Sequence, residues 1–279
     1  MEKCCKFANL LQNVPMKKNK WWLLLVFASV FTLSTSCSDY QKILKSGDTD
    51  AIYAEAMRLY ENEAYAKTLQ MFDKIAVFVK GTDKEEPLNY YYAQCYYQTG
   101  EYTLASYYFK KYIRQFPFSG RAEECAYLSA LCKYYQSPVY SLDQSPTNDA
   151  IKEMQSFINN YPLSPKVEEC NGYIDELRAK LEEKDFRIAM MYFKMEEYKA
   201  SIVCFKNILK DYPNTSHKEI ILCNIVKAGY EYARNSVPSK QKERYKEVVE
   251  NYQKFISAYP DSQYIREIEH CYKTAVAFV

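Results

Sequence analysis

The chain has 279 residues, with 37 Lys and Arg against 35 Asp and Glu and a formal net charge of +2. Five of the lysines and one glutamate fall in residues 1–36. The remainder therefore holds 32 basic and 34 acidic side chains and lacks the basic excess of a nucleic-acid binder. Only six glycines, set against 29 tyrosines and abundant Lys, Glu, Leu and Ala, argue for a helical protein.

Residues Met16 to Cys37 read as an export signal. Lys17, Lys18 and Lys20 form a basic start, Trp21 through Phe31 an apolar core, and Leu33-Ser34-Thr35-Ser36-Cys37 a small-residue close. The apolar run is too short for a confident transmembrane span. A cysteine directly after the small residues becomes the new N-terminus, and its thiolate takes a diacylglycerol, chemistry that serine cannot replace. Leu33 lies one place further from Cys37 than in the usual lipoprotein signal. Cys37 is thus the expected lipidation site, and several acyl chains suffice for stable anchoring. Residues 1–15, which include Cys4 and Cys5, precede this signal, so translation is expected to start at Met16.

A repeated phrase dominates the rest of the chain. Tyr112-Ile113-Arg114-Gln115-Phe116-Pro117, Phe157-Ile158-Asn159-Asn160-Tyr161-Pro162, Ile208-Leu209-Lys210-Asp211-Tyr212-Pro213 and Phe255-Ile256-Ser257-Ala258-Tyr259-Pro260 each set an aromatic before proline, with Ser or Thr two residues beyond. Proline ends one helix and the hydroxyl can cap the next. Upstream of Pro117, Ala93 and Tyr96 mark a first helix, Gly100-Glu101-Tyr102 a turn, and Ala105 and Phe109 a second helix. This is a tetratricopeptide pattern, and it recurs at Ala189, Tyr192, Glu197-Tyr198, Phe205 and Pro213, and more loosely at Ala56, Tyr65 and Phe72.

The expected fold is all-α, a tetratricopeptide superhelix of five hairpins near 50–80, 86–118, 121–162, 184–213 and 219–260, closed by a terminal helix over 261–279. Two hairpins are expected to carry long internal loops, Ser137 through Asn148 and Asn235 through Gln241. Between Pro165 and Met195 there is no proline, which predicts one long helix. The organisation reads as a signal region 1–36, a lipidated linker 37–48, repeats 1–3 over 49–162, and the long helix, repeats 4–5 and capping helix over 163–279.

The first helices of repeats 1–3 repeat at an offset of 37: Tyr53, Tyr90 and Tyr127; Met57, Gln94 and Leu131; Tyr60, Tyr97 and Tyr134. Spacings of four and three put each set on one helix face. Two readings stand. The rings line a groove for an extended, aromatic-bearing peptide, or they fill a tyrosine-rich core.

No catalytic constellation emerges. His217 and His270 lie far apart without ligand spacing, and there is neither a glycine-rich phosphate loop nor a Gly-x-Ser-x-Gly elbow. The adjacent acids Glu123-Glu124, Glu168-Glu169, Glu182-Glu183 and Glu196-Glu197 point to different helix faces. No metal and no cofactor is expected. Cys95, Cys125, Cys132, Cys170, Cys204, Cys223 and Cys271 form no tight pair. They read as small apolar residues between helices, although an oxidising compartment allows some pairing.

Cys37 followed by Ser38-Asp39-Tyr40, the five repeats, the loop Leu142-Asp143-Gln144-Ser145-Pro146-Thr147, the run Val167-Glu168-Glu169-Cys170 to Leu181-Glu182, and Lys210-Asp211-Tyr212-Pro213-Asn214-Thr215 together resemble the BamD family. Its members are lipoprotein subunits of the outer-membrane β-barrel assembly machinery. The resemblance implies a non-enzymatic protein lipid-anchored at the periplasmic face of the outer membrane. Its implied partners are the barrel-forming subunit, other lipoproteins of the machinery and unfolded outer-membrane proteins. In the family, N-terminal repeats are associated with substrate and C-terminal repeats with the barrel subunit. The competing readings are a periplasmic tetratricopeptide lipoprotein that scaffolds cell-wall or division proteins, and a glycan-binding lipoprotein.

Intact-mass and peptide analysis of protein from cells is expected to find an N-terminus at acylated Cys37 and no peptide from residues 1–15. Recovery of an unmodified Cys37 thiol refutes the lipidation, and any peptide from 1–15 refutes the start at Met16.

Overall fold

The computed structural model describes residues 40–279; the expected export signal and lipidation site, Cys37, lie outside the described residues. After a short helical segment at 40–45, eleven labelled helices follow, and no strand occurs among the described residues. They form two compact units, one ending at Phe116 and the other beginning at Pro117.

In the first unit, α1 (Thr49–Glu61) pairs with α2 (Tyr65–Ile75), and α3 (Glu85–Gln98) pairs with α4 (Tyr102–Gln115). In the second, the pairs are α5 (Ala122–Tyr135) with α6 (Ser145–Asn160), α7 (Val167–Lys194) with α8 (Tyr198–Asp211), and α9 (Lys218–Arg234) with α10 (Pro238–Ala258). Finally α11 (Ile265–Phe278) packs on both α10 and α9. It covers the apolar side that the last hairpin would otherwise expose.

The pairing follows from which residues are small and which are large. Every first helix buries an alanine at the equivalent position: Ala56, Ala93, Ala130, Ala189 and Ala228 are at most 1% exposed. Every second helix sends inward two side chains three positions apart. These are Phe72 and Ile75, Phe109 and Tyr112, Met154 and Phe157, Phe205 and Ile208, and, in α10, half-buried Tyr252 with buried Phe255. Residues three apart share a helix face, so the rings lie on the side where the alanine leaves room. The approach is close enough at α7 and α8 for Ser201 Oγ to donate to the carbonyl of Ala189 at 3.0 Å. Between α9 and α10, a Cβ at Gly229 would meet Val248 Cγ2 at 3.3 Å.

The repeated proline phrase sets the helix ends. Residues before proline avoid the α region. Phe116, Tyr161, Tyr212 and Tyr259 accordingly turn to φ between −125° and −141°, while their N–H still closes the last helical bond. The following hydroxyls do not cap the next helix as expected. Ser119, Ser164, Thr215 and Ser262 accept from the N–H of Arg121, Lys166, His217 and Tyr264 at 3.0–3.2 Å, one residue ahead of each helix. They cap a tight lead-in turn rather than the helix itself.

Two loop expectations are corrected. The loop in the third hairpin ends before Ser145 rather than at Asn148. In the fifth hairpin the expected loop 235–241 shrinks to three residues, because Pro238 opens α10 and Lys240 to Arg244 continue it. Proline fits the first helical turn, where no N–H partner is needed, and Lys, Gln, Glu and Arg are good helix formers.

The hairpin turns of repeats 1, 2 and 4 place Glu63, Gly100 and Glu196 at φ +58°, +77° and +63°, each two residues before a tyrosine. Only glycine adopts this region without cost. Glu63→Gly and Glu196→Gly are therefore expected to raise the urea midpoint and Gly100→Ala to lower it, each by the equivalent of about 1 kcal/mol. Nothing lies within 4 Å of a Cβ placed at Gly100, so the conformation alone carries the effect. Midpoints moving the other way refute the assignment.

Candidate functional site

In the first unit, α1 turns Ile52, Ala56 and Leu59 into the core. Its neighbouring stripe, Tyr53, Met57 and Tyr60, is left half-buried. On α3, Tyr90 and Tyr97 are half-buried and Gln94 between them is buried. The two helices are joined through a residue that the 37-residue offset did not select. Tyr91 meets Tyr60 edge-on at 4.8 Å between centroids and Tyr90 at 5.2 Å. Tyr90 continues to Tyr112 at 6.1 Å, and Tyr112 donates to Glu86 Oε1 at 2.8 Å. Gln94 Nε2 donates to the Tyr90 hydroxyl at 2.9 Å.

Tyr53 sits 6.4 Å from Phe72, with the Lys84 ammonium 5.8 Å from its ring centre, and Tyr97 contacts Tyr102 and Phe109. Such edge-to-face pairs add about 0.5–1.5 kcal/mol each beyond burial, so the rings are held rather than loose. The arrangement presents phenol bodies in fixed orientation, suited to stacking and to hydrogen bonding with an extended chain.

The remaining three residues of the 37-residue offset, Tyr127, Leu131 and Tyr134, belong to the second unit, in a different setting. Leu131 and Tyr127 are buried, Tyr127 being 7% exposed. Its hydroxyl donates to Glu169 Oε1 on α7 at 2.7 Å. Lys166 lies 4.9 Å over its ring and also donates to Glu169, at 2.9 Å. Tyr173 donates to the same carboxylate at 3.1 Å and lies 4.4 Å from the Tyr134 ring, while Tyr134 donates to Glu176.

These contacts shift the groups in opposite directions. The hydrogen bond to Glu176, followed by burial, pushes the Tyr134 phenol up to about 12. Burial, then the bond to Glu169, raises Tyr127. Donation from Tyr127 and Lys166 lowers the Glu169 carboxyl. In this unit the hydroxyls of Tyr127 and Tyr134 are engaged by the protein's own long helix.

A second ring cluster escaped the repeat pattern because α4 has no counterpart of it in the other second helices. Tyr92 donates to Asp73 at 2.7 Å and meets Tyr108 at 4.7 Å, and Tyr108 stacks on Tyr96 at 5.2 Å. Tyr107 continues the cluster to the surface, 55% exposed.

The thiols are placed for packing. Cys95 and Cys132 are pushed by burial up to about 12, and Cys170 and Cys223 to about 11, so they stay protonated at neutral pH. No disulfide joins any of the seven described cysteines. Among the described residues no group of three or more His, Cys, Asp or Glu is placed to hold a metal ion. No helix among them is long and apolar enough to cross a membrane.

Successive antiparallel hairpins, each with a buried alanine facing aromatic or aliphatic core residues and four of the five with a proline-terminated second helix, define a helical-repeat protein of tetratricopeptide type. The chain belongs to the YfiO family, described as outer membrane lipoprotein, whose model matches residues 45–243.

Two relatives share the description outer membrane protein assembly factor BamD. That of Caulobacter vibrioides is 26% identical over 118 residues, 42% of this chain and 39% of the relative. That of Pasteurella multocida is 22% identical over 193 residues, 65% of this chain and 73% of the relative. The match thus spans well under half of the first relative's length. Among solved structures, the TPR domain of P58(IPK) covers 85% of this chain and 67% of its own at 13% identity, with a TM-score of 0.39.

Removing the Tyr127 hydroxyl tests the α5–α7 seam. Tyr127→Phe is expected to cost about 1 kcal/mol at pH 7, a charged hydrogen bond discounted for the partial exposure of Glu169. Because the folded Glu169 carboxyl lies below its usual 4.5, that stability is present above pH 4.5 and lost as pH falls through the folded value. The gap between the variant and the parent in urea should therefore close as the pH is lowered below 4.5. A gap independent of pH refutes the role of the carboxylate.

Proposed function

We propose that this chain is a non-enzymatic scaffold of an outer-membrane protein assembly complex, held by lipid on Cys37 at the periplasmic face of the outer membrane. It binds the barrel-forming subunit, sits beside other lipoproteins of that machinery, and receives unfolded outer-membrane proteins. The observation that carries this reading is membership of an outer membrane lipoprotein family over 45–243, joined by two relatives described as outer membrane protein assembly factors.

The tyrosine face of the first unit supports a division of labour. Tyr53, Met57, Tyr60, Tyr90 and Tyr97 are half-buried, so they keep accessible surface while their orientation is fixed. Rigid phenols bind at low entropic cost because few rotors remain to be frozen, and an aromatic side chain on the incoming polypeptide can stack among them. Substrate segments are assigned to this N-terminal face and the barrel-forming subunit to the C-terminal repeats. Buried, protonated thiols and tyrosines engaged with carboxylates suit binding without covalent change.

Affinity capture from detergent-solubilised envelope is expected to recover the barrel-forming subunit. A Tyr90→Ala/Tyr97→Ala protein should keep its helical spectrum and its capture of that subunit, yet lose on the order of ten-fold in affinity for a peptide ending in an aromatic residue. Capture of peptidoglycan enzymes in place of the barrel subunit overturns the assembly reading. Undiminished peptide binding overturns the tyrosine face alone.

A further inference from the structure

The first hairpin carries an edge beside its core that the tyrosine face does not account for. Segment 40–45 lies against α2. Tyr40 is 8% exposed, its hydroxyl donates to Gln70 Oε1 at 2.7 Å, and the Lys67 ammonium lies 5.6 Å from its ring centre. Beside this segment a half-open hollow of about 370 Å³ has Leu44, Ile52, Ile75 and Phe78 in its lining, together with Lys45 and Lys74. Beyond α2 the chain makes an ordered turn. Ile75 and Val79 point into the core at 1% exposure, while Val77 and Phe78 between them are 79% and 72% exposed. The turn is tied down by Phe78 N–H and Val79 N–H to the Ile75 carbonyl at 2.9 and 3.0 Å and by Thr82 Oγ1 to the Val79 carbonyl at 2.6 Å. An exposed phenylalanine on a fixed turn is a displayed side chain.

Three lysines lie along it. Lys45, Lys67 and Lys74 are exposed and form no ion pair among the described residues. The nearby carboxylate of Asp48 is engaged instead in capping α1, accepting from the N–H groups of Asp50 and Ala51 at 3.0 and 3.1 Å. Asp73, next to Lys74, accepts the Tyr92 hydroxyl at 2.7 Å.

The length of chain before this edge decides what it meets. Cys37 is three residues from Tyr40, a span of about 10 Å at full extension. A headgroup layer is itself about 5–8 Å deep. If Cys37 carries lipid, as proposed above, Tyr40 cannot be further from the acyl-chain boundary than about one or two such layers.

We propose that the edge formed by segment 40–45, Lys67, Lys74 and the turn at Val77 and Phe78 is a membrane-seating surface. Its lysines engage anionic phospholipid headgroups, and Phe78 enters the boundary between headgroups and acyl chains. Basic side chains gain from an anionic surface, and aromatic rings settle at that depth. The lipid then fixes position and the seat fixes orientation, holding the first unit's tyrosine face at a set angle to the bilayer. The inference rests on lipidation of Cys37.

Residues 37–279 contain no tryptophan, since both lie at Trp21 and Trp22, so Phe78→Trp provides a single fluorescent reporter. The acylated protein carrying it is reconstituted on phosphatidylethanolamine vesicles with or without phosphatidylglycerol, using brominated acyl chains, and floated on a density gradient. The expected result is flotation in both cases, with the reporter quenched only where phosphatidylglycerol is present. Adding Lys45→Glu and Lys74→Glu should leave flotation intact and abolish quenching. In the unacylated Cys37→Ser chain, each lysine neutralised should lower partitioning to the same vesicles about 5-fold at low salt. A floated protein with an unquenched reporter overturns the seat while leaving the anchor standing. Quenching indifferent to phosphatidylglycerol and to both lysines overturns the anionic recognition. Failure to float overturns the anchor, and the seat with it.

Discussion

The structure depends on one close approach, that of each second helix to a buried alanine on its first helix. Ala56 shares a core cluster with Phe72 and Ile75, and Ala189 shares one with Phe205 and Ile208. A larger side chain at the alanine would push the helices apart or force the rings off their rotamers, and overpacking of this kind costs about 1–3 kcal/mol. Because a repeat array is held by contacts between neighbours, such a cost is local to one hairpin, and no distant core compensates for it. The same approach fixes the angle at which the next stripe of the first helix, the tyrosine stripe, faces outward.

Much of this was legible because the signals are local and periodic. Proline after an aromatic ends a helix wherever it occurs, and the long uninterrupted stretch after Pro165 does run as the single helix Val167–Lys194. Where the sequence misled, the competing signal was also local. Pro238 looks like a breaker inside a loop, yet proline at the first turn starts a helix, and only the residues after it distinguish the two roles. Glu63 and Glu196 carried no turn signature, because a left-handed glutamate looks like any surface glutamate; Gly100 marked the same position openly.

Side-chain partners were less legible than elements. The offset of 37 selected Tyr60 and Tyr90 but not Tyr91, which touches both. Periodicity finds equivalent positions in different repeats, whereas a bridging residue is defined by its neighbours across an interface. The exposed pair Val77 and Phe78 was invisible for a related reason. In sequence, Ile75 to Val79 is a single apolar run, and only the turn geometry separates the two residues that enter the core from the two that leave it.

The tyrosine stripes show how one spacing serves two ends. Tyr53 and Tyr60 are seven apart and meet Lys84, at the N-cap of α3, and Tyr91, seven residues further along that helix. Tyr127 and Tyr134 are also seven apart and meet Glu169 and Glu176, again seven apart on α7. Seven residues is close to two helical turns, so the register is the same in both units. What differs is the partner. Carboxylates on α7 draw the phenol hydroxyls into intramolecular hydrogen bonds and bury Tyr127, turning that stripe into structure. At α3 a cation and a ring contact the tyrosine rings through their faces and edges, and the stripe is half-buried. One register on the first helix thus accommodates a carboxylate, a cation or a ring on the adjacent helix as the neighbour of a stripe tyrosine.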